Sequence, residues 1–187
     1  MRIVGGRFRG RSLSAPPGQS TRPTSDRARQ ALFDVLAHAL WAPELEGVRV
    51  LDLFAGSGAL GLEAISRGAA FCLFVETDEA ARGAIRDNVE AFGLFGATRI
   101  HRRDATDLGQ RPGSAGEPFG LVFLDPPYRQ GLGQRALAEL TAGGWLGPDA
   151  VAVWEHAADE AVEPPSGYET LDSRRWGAAG VTFLRSA

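Results

Sequence analysis

Apolar positions along the 187 residues follow two regimes. Between Asp26 and Trp41, the residues Ala28, Ala31, Leu32, Val35, Leu36, Ala39 and Leu40 recur at helical spacing and make one apolar face. Thr24 or Ser25 stands where a helix cap belongs, and Pro43 ends the segment. From Val48 onward, short apolar runs alternate with helical stretches. Strands are predicted over Val48–Phe54, Phe71–Glu76, Thr98–Arg102, Leu121–Asp125 and Val151–Glu155. Helices are predicted over Leu60–Ser66, Glu79–Phe92 and Leu132–Thr141, and a Gly/Pro-rich loop over Gly109–Glu117. Two last runs, Tyr168–Asp172 and Gly180–Arg185, flank Arg174-Arg175-Trp176-Gly177 and predict a closing hairpin.

A run such as Phe71-Cys72-Leu73-Phe74-Val75 is apolar throughout, which implies burial on both faces of a sheet. Alternation with helices implies βαβ units. The expected fold is therefore α/β: a doubly wound, Rossmann-like domain over residues 26–187, with a central, mostly parallel, seven-stranded sheet. Residues 1–25 are rich in Gly, Arg, Pro and Ser, with Pro16, Pro17 and Pro23 as breakers. They read as a basic arm or hairpin.

Composition narrows the class. Hydrophobic residues are 44% and charged residues 23%, enough for a core that needs no metal or disulfide staple. Cys72 is the single cysteine, and no Cys/His cluster has zinc spacing, so no metal is expected. The longest apolar run, Ala69–Val75, is far short of the ~20 residues that span a bilayer. Met1–Arg11 runs into glycines and prolines with no apolar stretch behind it, unlike a signal peptide. A soluble cytoplasmic protein is expected.

Charge is unevenly placed. All 20 basic residues are arginine. Residues 1–29 hold seven of them against Asp26 alone, a net of +6, and the remainder of the chain carries −9. A basic end on an acidic body suggests a local anionic partner.

Ligands of such sheets bind beyond the C-terminal strand ends, so the residues that finish strands are the candidates. The first run ends in Asp52-Leu53-Phe54-Ala55-Gly56-Ser57-Gly58, the second in Glu76, the third near Asp104, and the fourth in Asp125-Pro126-Pro127-Tyr128. Glu76 can accept two hydrogen bonds from a ribose diol. Gly56, Gly58 and Gly61 satisfy G-x-G-x-x-G, which leaves a nicotinamide dinucleotide open. Asp52 just ahead of the turn suits a cationic ammonium better than a phosphate. S-adenosylmethionine offers a ribose, an adenine and such an amine. In Asp-Pro-Pro-Tyr, the Asp125 carboxylate and the Pro126 carbonyl can accept both hydrogens of an exocyclic amine, while Tyr128 offers a stacking face. That set positions a nucleobase amine for in-line attack.

The segment Asp52–Gly68, with Val75-Glu76-x-Asp78 and Leu124-Asp125-Pro126-Pro127-Tyr128, resembles the RsmD family. Arg2-Ile3-Val4-Gly5-Gly6, Arg9-Gly10-Arg11 and Arg22-Pro23-Thr24-x-Asp26-Arg27-x-Arg29-x-x-Leu32-Phe33 carry the same resemblance, which spans Arg2 to Leu184. Its members are bacterial 16S rRNA guanine-N2 methyltransferases that modify guanine 966, with the Rossmann-like fold of class I S-adenosylmethionine-dependent methyltransferases. The resemblance implies that Asp52, Phe54, Gly56 and Gly58 line the methionine part of the cofactor, Glu76 the ribose and Asp104 the adenine amine. Asp125, Pro126 and Tyr128 would hold guanine N2, and Arg22 and Thr24 would close over the cofactor. Arg7, Arg9, Arg11, Arg22 and Arg27 would grip rRNA phosphates. The implied partner is a small-subunit assembly particle, met by a monomer. Other readings are an adenine-N6 or other nucleic-acid amino-methyltransferase, a nicotinamide oxidoreductase and a non-catalytic rRNA-binding assembly factor.

Glu155-His156 is expected as a simple surface site, Trp145, Trp154 and Trp176 as packing, and His38 and His101 as ordinary helix and strand residues.

Overall fold

The computed structural model describes residues 1–17 and 24–187; Arg22 and Pro23 lie outside the described residues. Helix α1 (Asp26–His38) starts at Ser25, whose side chain accepts from the backbone N–H of Ala28. It stops earlier than its apolar periodicity predicts. Ala39 is already extended, Leu40 is fully exposed, and Trp41 turns away to pack on Phe183 at 5.0 Å.

Then follow β1 (Arg49–Leu53), α2 (Ala59–Ser66), β2 (Phe71–Val75), α3 (Glu79–Phe92), β3 (Thr98–His101), β4 (Phe119–Leu124), α4 (Leu132–Ala142), β5 (Leu146–Ala157), β6 (Tyr168–Trp176) and β7 (Ala179–Ser186). The strands form one seven-stranded sheet in the order β3-β2-β1-β4-β5-β7-β6. Strands β1 to β5 are mutually parallel, and β7 and β6 are antiparallel. Strand β6 runs on through Arg174, Arg175 and Trp176, so the hairpin turns after them rather than within them.

Successive residues of the central strands enter opposite layers, as the pleat requires. Val50, Phe74, Leu121 and Phe123 face α1, α2 and α3, whereas Leu51, Leu53, Leu73, Val122 and Leu124 face α4. The chain reverses direction across the sheet between β1 and β4, which opens a crevice at their C-terminal ends.

The first 14 residues double back on themselves. Ile3 N–H donates to Arg11 O at 2.9 Å, and Leu13 N–H to Met1 O at 2.9 Å. Ile3 and Leu13 are buried in the layer that holds α1 and α2. Beneath them lies an ionic knot. The fully buried Arg29 donates to Glu63 at 3.2 Å, Asp26 at 2.8 Å and the Thr24 carbonyl at 3.2 Å. Glu63, also buried, accepts in addition from Val4 N–H, Gly5 N–H and Arg67. Arg29 and Glu63 are thus each held by several partners, the condition under which such a pair survives burial.

Candidate active site

Four carboxylates converge where β1, β2, β4 and β5 end. Asp52 is 1% exposed, and its carboxylate accepts from Gly61 N–H at 3.0 Å in the first turn of α2. Burial, with the nearby Glu76 charge adding to it, pushes Asp52 up to about 8 despite that hydrogen bond. Glu76 is set by two backbone donors, Gly56 N–H at 2.7 Å and Asp78 N–H at 2.9 Å. The turn between them needs left-handed backbone at Gly56 (φ 58°) and Gly58 (φ 80°). Phe54 also sits at φ 56°, a costly conformation for a bulky residue and of the kind found at ligand sites.

A cleft of about 230 Å³ opens beside this turn, lined by Phe54, Val75, Thr77, Asp104, Pro127 and Leu132 among others. Asp104 stands exposed at its edge and accepts from the Thr106 hydroxyl at 2.7 Å and the Thr106 N–H at 2.8 Å. Those bonds hold its carboxyl below the ordinary carboxylate range. Apolar walls with an acceptor at the rim suit a flat heterocycle carrying an amine.

On the other side of β1, Asp125-Pro126-Pro127-Tyr128 leaves β4. Asp125 is half-buried, Pro126 buried and Tyr128 half-buried. The register pairs Leu124 with Trp154, so Asp125 and Glu155 follow side by side. Burial, then the Glu155 carboxylate beside it and Asp52 behind it, push Asp125 well above the ordinary carboxylate range, and a hydrogen bond to Glu155 adds to this.

Glu155 and His156 are not the surface residues expected from the sequence. Each is 8% exposed, because β5 continues to Ala157 and β7 pairs along that end of it. His156 bonds Thr182 at 2.8 Å and the Ala157 carbonyl, a structural role. Glu155 faces the site instead. Its Oε1 accepts from the Tyr128 hydroxyl at 3.1 Å and its Oε2 from the Thr24 hydroxyl at 2.8 Å. One signal for it was available: like Asp52, Glu76 and Asp125, it is an acidic residue closing a strand. Thr24 leaves the capping of α1 to Ser25.

The structure brings Asp52, Phe54, Gly56, Gly58, Glu76, Asp104, Asp125, Pro126, Tyr128 and Thr24 to this one edge of the sheet. It does not bring all the arginines there. Arg7 N–H donates to Ser66 O at the end of α2. Arg11 donates to the Ala91 carbonyl at 2.7 Å and lies over Phe92, 4.5 Å from the ring centre, at the end of α3. Both helices run back from the site, and an α2 of eight residues places Ser66 about 12 Å below the turn. Arg7, Arg9 and Arg11 are exposed there. Arg27, also exposed, lies in the first turn of α1, three residues from Thr24. Trp145 and Trp154 are core residues, and Trp176 packs on the core edge.

A family model described as "Conserved hypothetical protein 95" matches residues 1–185. The chain is 39% identical over 151 residues to ribosomal RNA small subunit methyltransferase D of Escherichia coli strain K12, covering 81% of this chain and 72% of that protein. It is 31% identical over 187 residues to the Haemophilus influenzae protein of the same name, covering 100% and 94%. The solved structure of Escherichia coli yhhF superimposes with a TM-score of 0.84 at 33% identity, covering 100% of this chain and 97% of that one.

Proposed function

The chain belongs to the RsmD family, and from that membership and the strand-end site we propose that it is an rRNA methyltransferase. It transfers a methyl group from S-adenosylmethionine to the exocyclic N2 of a guanine in 16S rRNA, guanine 966, within a small-subunit assembly particle in the cytoplasm. In this reading residues 1–25 are the basic arm of a methyltransferase domain that spans residues 26–187 and acts as a monomer.

The observation that carries the proposal is the meeting of Asp125-Pro126-Pro127-Tyr128 with the carboxylates and the glycine turn at one crevice. The acceptor set suits S-adenosylmethionine. Glu76 is already aimed by Gly56 and Asp78 N–H groups and can take the ribose hydroxyls. Asp104 at the cleft edge can take the adenine amine, with Phe54 and Leu132 among the walls. Asp52 is enclosed, so it acts on the cationic amino-acid tail through its field rather than by direct contact. The bound cofactor supplies a methyl group on a sulfonium. Asp125 and the Pro126 carbonyl accept from the two N–H groups of the target amine, which returns density to a nitrogen otherwise delocalised into the ring. Tyr128 stacks on a base that has left its own stack. Holding amine and methyl donor in line is worth ~7 kcal/mol or more of the barrier. Arg7, Arg9, Arg11, Arg22 and Arg27 bind phosphates of the flanking RNA.

The test is methyl transfer from labelled S-adenosylmethionine to small ribosomal subunits that lack guanine-N2 methylation, with naked rRNA and duplex DNA alongside. Label recovered as N2-methylguanine at one site in the particle is the expected result. Label in adenine, or in DNA alone, would overturn the substrate assignment. Absence of label in all three despite cofactor binding would leave a substrate outside these three or a non-catalytic assembly role.

A further inference from the structure

Two residues assigned to the site from different parts of the chain, Thr24 and Tyr128, each donate a hydroxyl to the same buried side chain. The two carboxylate oxygens of Glu155 are divided between them: Oε2 takes Thr24 at 2.8 Å and Oε1 takes Tyr128 at 3.1 Å. Neither anchor is loose. The Thr24 carbonyl is held at 3.2 Å by Arg29, whose guanidinium is fixed in the core by Glu63. Tyr128 follows two prolines, the first of them buried. Glu155 itself is locked in the ladder opposite Val181. A carboxylate at 8% exposure needs strong donors to replace water, and here the Thr24 and Tyr128 hydroxyls come from the site, as does the Asp125 carboxyl that hydrogen-bonds it.

We propose that Glu155 is a positioning residue that ties the start of α1 to the Tyr128 platform, so that the target base meets a ring already held at the correct tilt. The inference rests on the methyltransferase reading above for its substrate. The tie itself is a property of the protein alone. Its physical content is pre-organisation: a stacking ring that wanders loses in-line geometry, and an ångström of misplacement costs on the order of a hundredfold in rate. Glu155 touches neither the methyl donor nor the amine in this account, so removing it should lower turnover and leave cofactor affinity alone.

Glu155→Gln keeps the size of the side chain but has one acceptor oxygen; its NH2 can hold the second hydroxyl only if that hydroxyl turns from donor to acceptor, and both bonds lose the carboxylate charge that strengthens them. Its amide exchange, measured on the protein without RNA or cofactor, should quicken about tenfold at Ala28 and Arg29, the loss expected for one hydrogen bond to a charged group. Its kcat on the small-subunit particle should fall about ten- to a hundredfold, with KM for the particle and Kd for S-adenosylmethionine within about twofold of wild type. Tyr128→Phe added to Glu155→Gln should cost less than its effect in wild type, since the bond it removes is already weakened. Unchanged exchange and unchanged kcat would overturn the proposal, as would a loss that appears only in cofactor affinity. Should Glu155→Gln fail to fold, Thr24→Val and Tyr128→Phe leave the carboxylate in place. Their kcat effects must then be non-additive, and simple additivity would overturn the tie. A wild-type protein that methylates no RNA would sink the proposed reaction, while the exchange result would still decide whether Glu155 holds α1.

Discussion

Asp52 shows how one residue can trade stability for a charge-ready site. Its carboxyl is enclosed and pushed up to about 8, against about 4 in an unfolded chain. Between those values the native state holds a proton that the unfolded state has lost. Stability from this group is therefore complete below about pH 4 and drains away as pH rises through about 8. Asp125, raised by the same burial and by Glu155, acts in the same direction. The urea midpoint of the wild-type protein should fall between pH 5 and pH 8, and that of Asp52→Asn should fall less. Equal slopes for the two proteins would show that Asp52 is not the neutral buried acid described here. The cluster's ligand is the counterpart of this cost: a cation brought near Asp52 and Asp125 favours their ionised forms.

Among the elements, α2 is the one whose position the site depends on most, because its first turn supplies the N–H that Asp52 accepts. Only glycine fits at position 61. A Cβ there would lie 2.5 Å from Cys72 Sγ, 2.6 Å from a Phe74 ring carbon and 3.1 Å from the Asp52 carboxylate. Gly61→Ala should destabilise the fold by about 1–3 kcal/mol through overpacking, read by chemical denaturation. It should also weaken cofactor binding by lifting the turn away from Glu76. A stable Gly61→Ala protein with unchanged cofactor affinity would contradict this packing argument. Element boundaries in the sequence were legible where one physical signal dominated. Glu79–Phe92 has a capping Asp78 and a left-handed Gly93 at its ends, and sequence and structure agree on it. The end of α1 was not, since the demand of Trp41 for Phe183 outweighed a helical repeat extending to Leu40.

Across the whole molecule, the arginine-bearing loop and the carboxylate crevice lie at opposite ends of α2 and α3, about 12 Å apart along the shorter helix. On the proposed function this separation would divide the labour of grip and chemistry. If five arginines each neutralise a phosphate on single-stranded RNA, log K should fall with log salt at a slope of roughly −3.5. Replacing Arg7, Arg9 and Arg11 together by Ala should reduce that slope by about 2 and weaken binding at low salt, with kcat at saturating RNA retained. Filter binding over a salt series checks the first part and single-turnover methylation the second. An unchanged slope would place the RNA elsewhere on the surface.

The sequence by itself determined what depends on neighbours along the chain. Apolar periods fixed the doubly wound sheet, the glycine turn followed β1, and Asp-Pro-Pro-Tyr followed β4, each at a strand end where such sheets bind ligands. Asp52, Glu76, Asp104 and Asp125 could be picked out by that rule alone. Tertiary structure decided what depends on residues far apart in the chain. Glu155 reads as one more acid before a histidine until β7 buries it and β4 brings Asp125 alongside. Thr24 reads as a cap or, by resemblance, as a residue over the cofactor, and only the fold gives its hydroxyl an acceptor 131 positions along the chain. The charge of Arg29 counts toward a basic arm in sequence, yet folding buries it against Glu63 and removes it from any RNA surface. Burial and partner choice are sums over the folded neighbourhood, and no local period of the chain encodes them.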